Sequence, residues 1–125
     1  MSYNVSLRYG ENIAKVEPYL EGNTSCGHRL DPKDNYYIGS ASAELNITYN
    51  FSVLFKQNLD KEGINWLHNK KAIWTIERLE LAVERLCIQK DENPWKSTPG
   101  NAGYALSILL GLAREHPNSV WYVLG

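Results

Sequence analysis

Alternation of apolar and polar residues along the chain predicts the strands of a sheet. Residues 3–9 alternate strictly, and residues 13–19 follow a turn-forming Gly-Glu-Asn, so we expect these two segments to form a hairpin. Residues 36–38 and 43–50 also have the character of extended chain. Residues 119–124 predict a final strand.

Apolar residues at helical spacing predict two principal helices. The first is amphipathic and about four turns long, with an apolar face formed by Ile73, Ile76, Leu79, Val83 and Leu86. The second begins with Thr98 as N-cap and Pro99 at the first helical position, and it ends before Pro117. Its predicted apolar face is Leu106, Leu109, Leu110 and Ala113. A shorter helix is expected to follow Ser52, as its cap, through Leu59.

These elements predict an α+β fold, with a small, mainly antiparallel sheet and two principal helices packed on one face. A length of 125 residues suits one domain with its own core, so residues 1–125 are taken as a single domain. Trp74 and Trp121 lie within predicted elements and are expected in that core. Cys87, near the end of the first principal helix, is expected to be a buried thiol.

Composition narrows the class of protein. No apolar run reaches the roughly 18 residues of a membrane span, so we expect no membrane partner. The net charge of -1 argues against generic nucleic-acid binding, which requires an excess of Lys and Arg. The first residues lack the pattern of a secretory signal, which predicts a cytoplasmic location. We therefore expect no disulfide between Cys26 and Cys87 and no glycan at the four acceptor motifs, Asn4, Asn23, Asn46 and Asn50.

The residue types that carry most catalysis and metal binding are sparse. Cys26 and His28 could supply two metal ligands, but a zinc site needs three or four, and no second pair has suitable spacing. His68 and His116 lie in a polar turn and at a helix end, where surface or capping roles are expected. No nucleophile motif or phosphate-binding loop is present in the sequence. We therefore predict no catalytic residue, no metal site and no cofactor.

The most unusual pattern is the polar row in the segment LNITYNFSVLF, residues 45–55. Asn46, Thr48 and Asn50 share one side of this predicted strand, where a merely solvated face would more often carry Lys and Glu. Such a row presents hydrogen-bond donors and acceptors in a fixed array. With Trp95 as a stacking wall, the row predicts a pocket for a nucleotide-like ligand. The alternative is structural: Asn46 and Asn50 would pair with loop backbone and cap the neighbouring helix.

The start of the second principal helix is predicted to bind the anionic part of the ligand in the same pocket. Backbone N–H groups at a helix N-terminus attract anions, and Gly100 would let a ligand approach them closely. The predicted ligand-binding residues are therefore Asn46, Thr48, Asn50, Trp95, Thr98, Gly100, Asn101 and, from the preceding loop, His28.

Three motifs together resemble a family of small phage and prophage proteins. They are LNITYNFSVLF, then GINWLHNK before an apolar helix, then PWKSTPGNAGYALSILLGLAREHPNSVW. The family pattern has an L-N-V/I-T-Y-N strand, a G-I-x-x-L segment, a W-x-x-T-x-G-N-A helix start and a closing H/R-P-x-x-V-W. The resemblance covers residues 28–121, and this sequence differs from it in the loop after His28, where DPKDN replaces a segment with glycines. It implies a phage context and no particular chemistry.

From the residues and the resemblance together, we expect a non-enzymatic phage accessory protein that acts by binding in phage–host conflict, in the cytoplasm of the bacterial host. Its partner would be a small anionic, nucleotide-derived signalling molecule, which it sequesters, or a host defence protein, which it inhibits. Two alternatives belong to other classes. One is a phage structural or assembly protein, for which a homo-oligomer is open, and the other is a small nucleotide-acting enzyme that uses His28.

Overall fold

A central strand organises the sheet. The structure, a computed structural model, describes residues 1–15 and 42–125. β1 (Ser2–Tyr9) pairs antiparallel with β3 (Glu44–Thr48) along one edge and with β4 (Val120–Leu124) along the other, and β2 (Asn12–Ile13) closes a short hairpin onto its end. The predicted hairpin and final strand are thus confirmed. The extended chain predicted over residues 36–38 and most of 13–19 lies outside the described residues.

Three helices complete the described fold. They are α1 (Ser52–Asn58), α2 (Ala72–Leu86) and α3 (Pro99–Glu115), with 3₁₀ turns at Tyr49–Phe51 and Gly63–Leu67. The two long helices therefore occupy the predicted positions, and Thr98 caps α3 as predicted, through a side chain that accepts a hydrogen bond from the Asn101 N–H. Ser52 is the first residue of α1, however, and the cap of the preceding turn is Thr48, so the cap predicted at Ser52 is wrong.

The inner face of the sheet supplies one side of the core. Val5 lies opposite Leu45 on one neighbouring strand and Val123 on the other, while Leu7 lies opposite Trp121. These side chains are buried, and the helices pack against them. α3 is buried on every side from Asn101 to Ala113, more than the single apolar face that its sequence predicts. The α+β class, with its antiparallel sheet, is confirmed.

The buried face of α2 combines apolar side chains with one buried hydrogen bond. Thr75 is fully buried and its hydroxyl accepts a hydrogen bond of 2.8 Å from the indole N–H of Trp121, which a buried indole requires. The buried residues of α2 are Ala72, Thr75, Leu79, Ala82 and Leu86. This rotation places Trp74 outside, 72% exposed, so the expectation that it belongs to the core is wrong, whereas that for Trp121 is confirmed.

Cys87 marks the end of α2 and is also placed differently from the prediction. Its φ of 64° reverses the chain at the helix end, which turns its side chain out of the apolar stripe. The thiol is exposed, so the prediction of a buried Cys87 is wrong. The reversal sends residues 87–91 back across the first turns of α3, where a Cβ at Gly103 would lie 1.7 Å from the Cys87 carbonyl oxygen. Glycine is therefore required at this crossing.

Thr75→Val is predicted to lower the free energy of unfolding by about 1 to 3 kcal/mol, because it keeps the side-chain shape but leaves the buried indole N–H of Trp121 without an acceptor. Urea denaturation measures the loss. Thr75→Ser is the matched control, since it keeps the hydroxyl. A valine variant as stable as the serine variant would contradict the assignment.

Candidate functional site

Four of the predicted ligand-binding residues line one groove at the end of the sheet. The groove has a volume of about 490 Å³. That volume lies within the range of ordinary small-molecule sites. Its lining is Met1, Ser2, Asn46, Thr48, Tyr49, Asn50 and Trp95. Residues that are far apart in sequence, on β3 and in the segment before α3, therefore share one concave surface.

The strand positions of the groove follow from the pleat of β3. Asn46 and Thr48 point away from the core, whereas Leu45 and Ile47 between them are buried. In the register of the sheet, Ser2 lies opposite Thr48 and Asn4 lies opposite Asn46, so the polar row continues onto β1. The Asn46 side chain is exposed, and its amide forms no hydrogen bond with any residue in 1–15 or 42–125.

β3 ends at Thr48, two residues earlier than the predicted extended segment. The Thr48 hydroxyl accepts a hydrogen bond of 3.2 Å from the Asn50 N–H, which turns the chain into the 3₁₀ turn. Asn50 consequently leaves the strand face. Its amide donates a hydrogen bond of 2.8 Å to the carbonyl oxygen of Trp95. This bond is the loop-backbone contact of the structural alternative, and it also joins the two walls of the groove.

A buried amide shapes the segment that carries Trp95. Asn101, in the first turn of α3, is 0% exposed. Its Nδ2 donates to the carbonyl oxygens of Asn93 at 3.0 Å and Lys96 at 2.8 Å, and its Oδ1 accepts from the Asp91 N–H at 2.9 Å. Three backbone groups of residues 91–96 thus converge on one side chain, which satisfies most of the hydrogen-bonding capacity of an amide. We call residues 91–98 the Trp95 loop.

Two local side-chain bonds tighten the Trp95 loop further. The Asp91 carboxylate accepts from the Asn93 N–H at 2.9 Å, and the Asn93 side-chain oxygen accepts from the Trp95 N–H at 3.0 Å. These are turns in which a short polar side chain holds the backbone two residues ahead. Trp95 is therefore fixed through its own N–H and, by Asn50, through its own carbonyl, while its side chain is 57% exposed.

The start of α3 does not join this groove. Thr98 and Gly100 line a second cleft of about 290 Å³, together with residues that include Cys87, Gln89 and Lys90. The Asn101 N–H donates to the Thr98 hydroxyl at 3.2 Å, and the Ala102 N–H donates to the Thr98 carbonyl at 3.1 Å. A Cβ at Gly100 would lie 1.8 Å from the Gln89 carbonyl oxygen. The close approach expected of a ligand at Gly100 is made by the chain's own backbone.

The eight predicted ligand-binding residues thus fall into three groups. Asn46, Thr48, Asn50 and Trp95 meet in the groove, whereas Thr98 and Gly100 lie in the second cleft. Asn101 is a buried anchor of the Trp95 loop, and His28 lies outside the described residues. Ligand binding at each of them stays a prediction.

The sequence interpretation missed three lining residues, Met1, Ser2 and Tyr49. Alternation along β1 could have indicated Ser2, because it shares the outer face of the sheet with Asn46 and Thr48. Tyr49 could not be found that way, since the strand has already ended there. Its ring lies edge-on to Tyr3 at 4.6 Å between centroids, and the Tyr3 hydroxyl is 2.7 Å from the Ser52 hydroxyl.

The described part of the chain contains neither a metal-binding cluster nor a membrane-spanning helix. Residues 1–15 and 42–125 contain no group of three His, Cys, Asp or Glu side chains that could hold a metal ion. Within these residues, no helix combines the length and the apolar character needed to cross a bilayer.

Asn101→Ala is predicted to destabilise the fold by about 1 to 3 kcal/mol, because it removes three part-buried hydrogen bonds between a fully buried side chain and the backbone of the Trp95 loop. Asn46→Ala is the matched control and should leave the stability within about 0.5 kcal/mol of the parent chain, since the Asn46 amide is exposed. Both values come from urea denaturation. Equal stabilities of the two variants would show that Asn101 has no anchoring role.

Comparison with known proteins adds no relative. No family model, no curated protein and no solved structure matches the chain. Function is therefore inferred from the geometry of the groove and from the resemblance in the sequence.

Proposed function

We propose that this chain is a non-enzymatic phage accessory protein that acts in phage–host conflict by binding a small, nucleotide-like signalling molecule in the groove. One observation carries the proposal. Asn46 and Thr48 on β3 share a groove with Trp95. The carbonyl oxygen of Trp95 accepts a hydrogen bond from the amide of Asn50, which lies 45 residues earlier in the chain. An aromatic wall beside a row of amides and hydroxyls is the combination that stacks a ring and pairs with its polar edge.

Rigidity of the groove supports a role in tight binding. The Trp95 loop is held by Asn101 from the core and by Asn50 from the strand end, before any ligand arrives. A site that is already ordered loses less conformational entropy on binding, so more of the contact energy appears as affinity. High affinity is what sequestration requires, because the protein must compete with the receptor of the signal.

The chemical character of the lining supports binding rather than catalysis. Its side chains are amides, hydroxyls, aromatic rings and one thioether, which act by hydrogen bonding and stacking. The phage context comes from the resemblance of the three sequence motifs. Sequestration of a host signal agrees with both the binding chemistry and the phage context, since a small phage protein can block a signalling molecule by binding it, without any chemical step.

Native mass spectrometry of the protein purified from phage-infected bacteria tests the proposal. The expected spectrum shows the chain with the added mass of one small molecule. Trp95→Ala should lose that mass, because the ring of the ligand loses its stacking surface, while the melting temperature stays close to that of the parent chain. Trp74→Ala is the matched control, since Trp74 is also exposed but does not line the groove.

Two outcomes would contradict the proposal. One is a bare chain from infected cells whose activity against host defence persists in Trp95→Ala. The other is a stoichiometric host protein in place of the small molecule, which would assign the chain to the inhibition of a defence protein. A large ring or filament in the same spectrum would instead favour a structural role in the phage particle.

A further inference from the structure

We infer that the outer face of α2 joins two copies of this chain, with the two helices side by side and parallel. The two-fold axis of the pair would run parallel to the helices. The inference concerns a surface outside the groove, so it goes beyond the proposed function. It follows from three exposed lines of side chains along α2, of which one is apolar, one acidic and one basic.

The apolar line is formed by Trp74 and Leu81. These residues are seven positions apart, close to two helical turns, and therefore lie almost directly in line along α2. Trp74 is 72% exposed and Leu81 is 46% exposed, and the neighbouring Ile73 is 50% exposed. Large apolar side chains that are grouped on the solvent side of one helix are typical of an interaction surface.

Charged side chains border the apolar line on both sides, with one sign on each side. A glutamate follows each apolar residue at the third position and an arginine follows it at the fourth, and these two positions lie on opposite sides of the line. All four charged residues are exposed. They are Glu77 and Glu84 in the acidic line and Arg78 and Arg85 in the basic line. The pattern W-x-x-E-R is thus repeated as L-x-x-E-R after seven residues.

Contacts within the chain hold the arginines in place. The Arg78 guanidinium is 2.8 Å from the Asp60 carboxylate and 4.8 Å from the centre of the Trp66 ring, while its side chain stays 47% exposed. Arg85 donates a hydrogen bond of 3.3 Å to the Asn58 carbonyl oxygen. A guanidinium has several N–H donors, so each arginine can also bind a second partner. The carboxylates of the acidic line form no ion pair within the described part of the chain.

The arrangement of the three lines favours a second copy of the chain in the parallel orientation. When two such helices face each other about an axis parallel to both, the acidic line of each copy lies against the basic line of the other. Glu77 then faces the partner's Arg78, and Glu84 faces the partner's Arg85. An antiparallel pair would instead set acid against acid and base against base, which is unfavourable. Charges that flank an apolar line select the orientation of coiled-coil helices in the same way.

The parallel pair also brings the apolar residues together. Leu81 packs against its own counterpart and Trp74 against its own, so that the most exposed apolar side chains of α2 are covered. Residues 74–85 extend over about 18 Å of helix. A contact of this length is small for a protein interface, so we expect a weak dimer that forms at high protein concentration.

Sedimentation equilibrium of the purified full chain, from micromolar to millimolar concentration, tests the inference. The parent chain should show a monomer–dimer equilibrium. Glu84→Arg places two basic residues opposite each other, and Arg85→Glu places two acidic residues opposite each other. Each variant should therefore associate with itself about tenfold or more weakly than the parent chain does.

An equimolar mixture of these two variants is the decisive sample. In a mixed parallel pair every acidic position again faces a basic one, so the mixture should associate about as strongly as the parent chain. Glu11→Arg is the matched control, because it reverses an exposed charge on the β-hairpin, and it should leave association unchanged. Melting curves confirm that all variants are folded.

Disulfide cross-linking tests the orientation independently. Leu81→Cys, in a chain whose Cys26 and Cys87 are replaced by serine, should form a covalent dimer with oxidised glutathione, because the two copies of position 81 face each other. Gln57→Cys is the control, an exposed position on α1 that should give no dimer. A cross-link between Leu81→Cys and Trp74→Cys, without one between two copies of Leu81→Cys, would show an antiparallel pair and contradict the inference.

The other outcomes also decide the question. A parent chain that stays monomeric at millimolar concentration would leave the outer face of α2 to a different protein and overturns the inference. A dimer that neither charge reversal weakens forms through another surface, which overturns it as well. A mixture that associates no better than its two components would exclude the parallel pairing. None of these results bears on the groove, so the proposed function is tested separately.

Discussion

The buried amide of Asn101 is the interaction on which the candidate site depends. A polar side chain with no exposure must find partners inside the protein, and all of the partners found for its amide are backbone groups of residues 91–96. The amide therefore dictates the path of the chain just before α3. Because α3 is the most deeply buried of the described elements, the Trp95 loop is anchored to the core although Trp95 lies at the surface.

A second amide connects the Trp95 loop to the sheet. Asn50, held in place by the Thr48 cap, donates to the Trp95 carbonyl and joins the end of β3 to the Trp95 loop. The groove is thus bounded by two elements that are fixed independently, one by strand pairing and one by the core helix. The three amides therefore differ: Asn101 is engaged through both its nitrogen and its oxygen, Asn50 donates one N–H to the Trp95 carbonyl, and the exposed Asn46 amide forms no hydrogen bond with the described residues.

The sequence predicted those features that depend on local order. Alternation gave the outer face of β3 and hence the neighbourhood of Asn46 and Thr48, and the Thr98-Pro99 pair gave the start of α3. The rotation of α2 could not be predicted, since it depends on contacts between distant parts of the chain, such as the bond from Trp121 to Thr75, 46 residues apart. The anchoring role of Asn101 could not be predicted for the same reason. Its three backbone partners lie in a loop without periodicity, so the sequence alone placed Asn101 in an anion site at the start of α3.

The central claim is that the surface formed by Trp95 and the polar row of β3 is the ligand site. Fluorine NMR of the chain labelled with 5-fluorotryptophan tests it most directly, because the four tryptophans give separate probes and Trp95→Phe assigns the groove resonance. Titration with each of the four nucleoside monophosphates in turn should include one that shifts the Trp95 resonance and leaves those of Trp74 and the buried Trp121 in place. A Trp95 resonance that moves with none of them at millimolar concentration, or a response of Trp74 alone, would contradict the account.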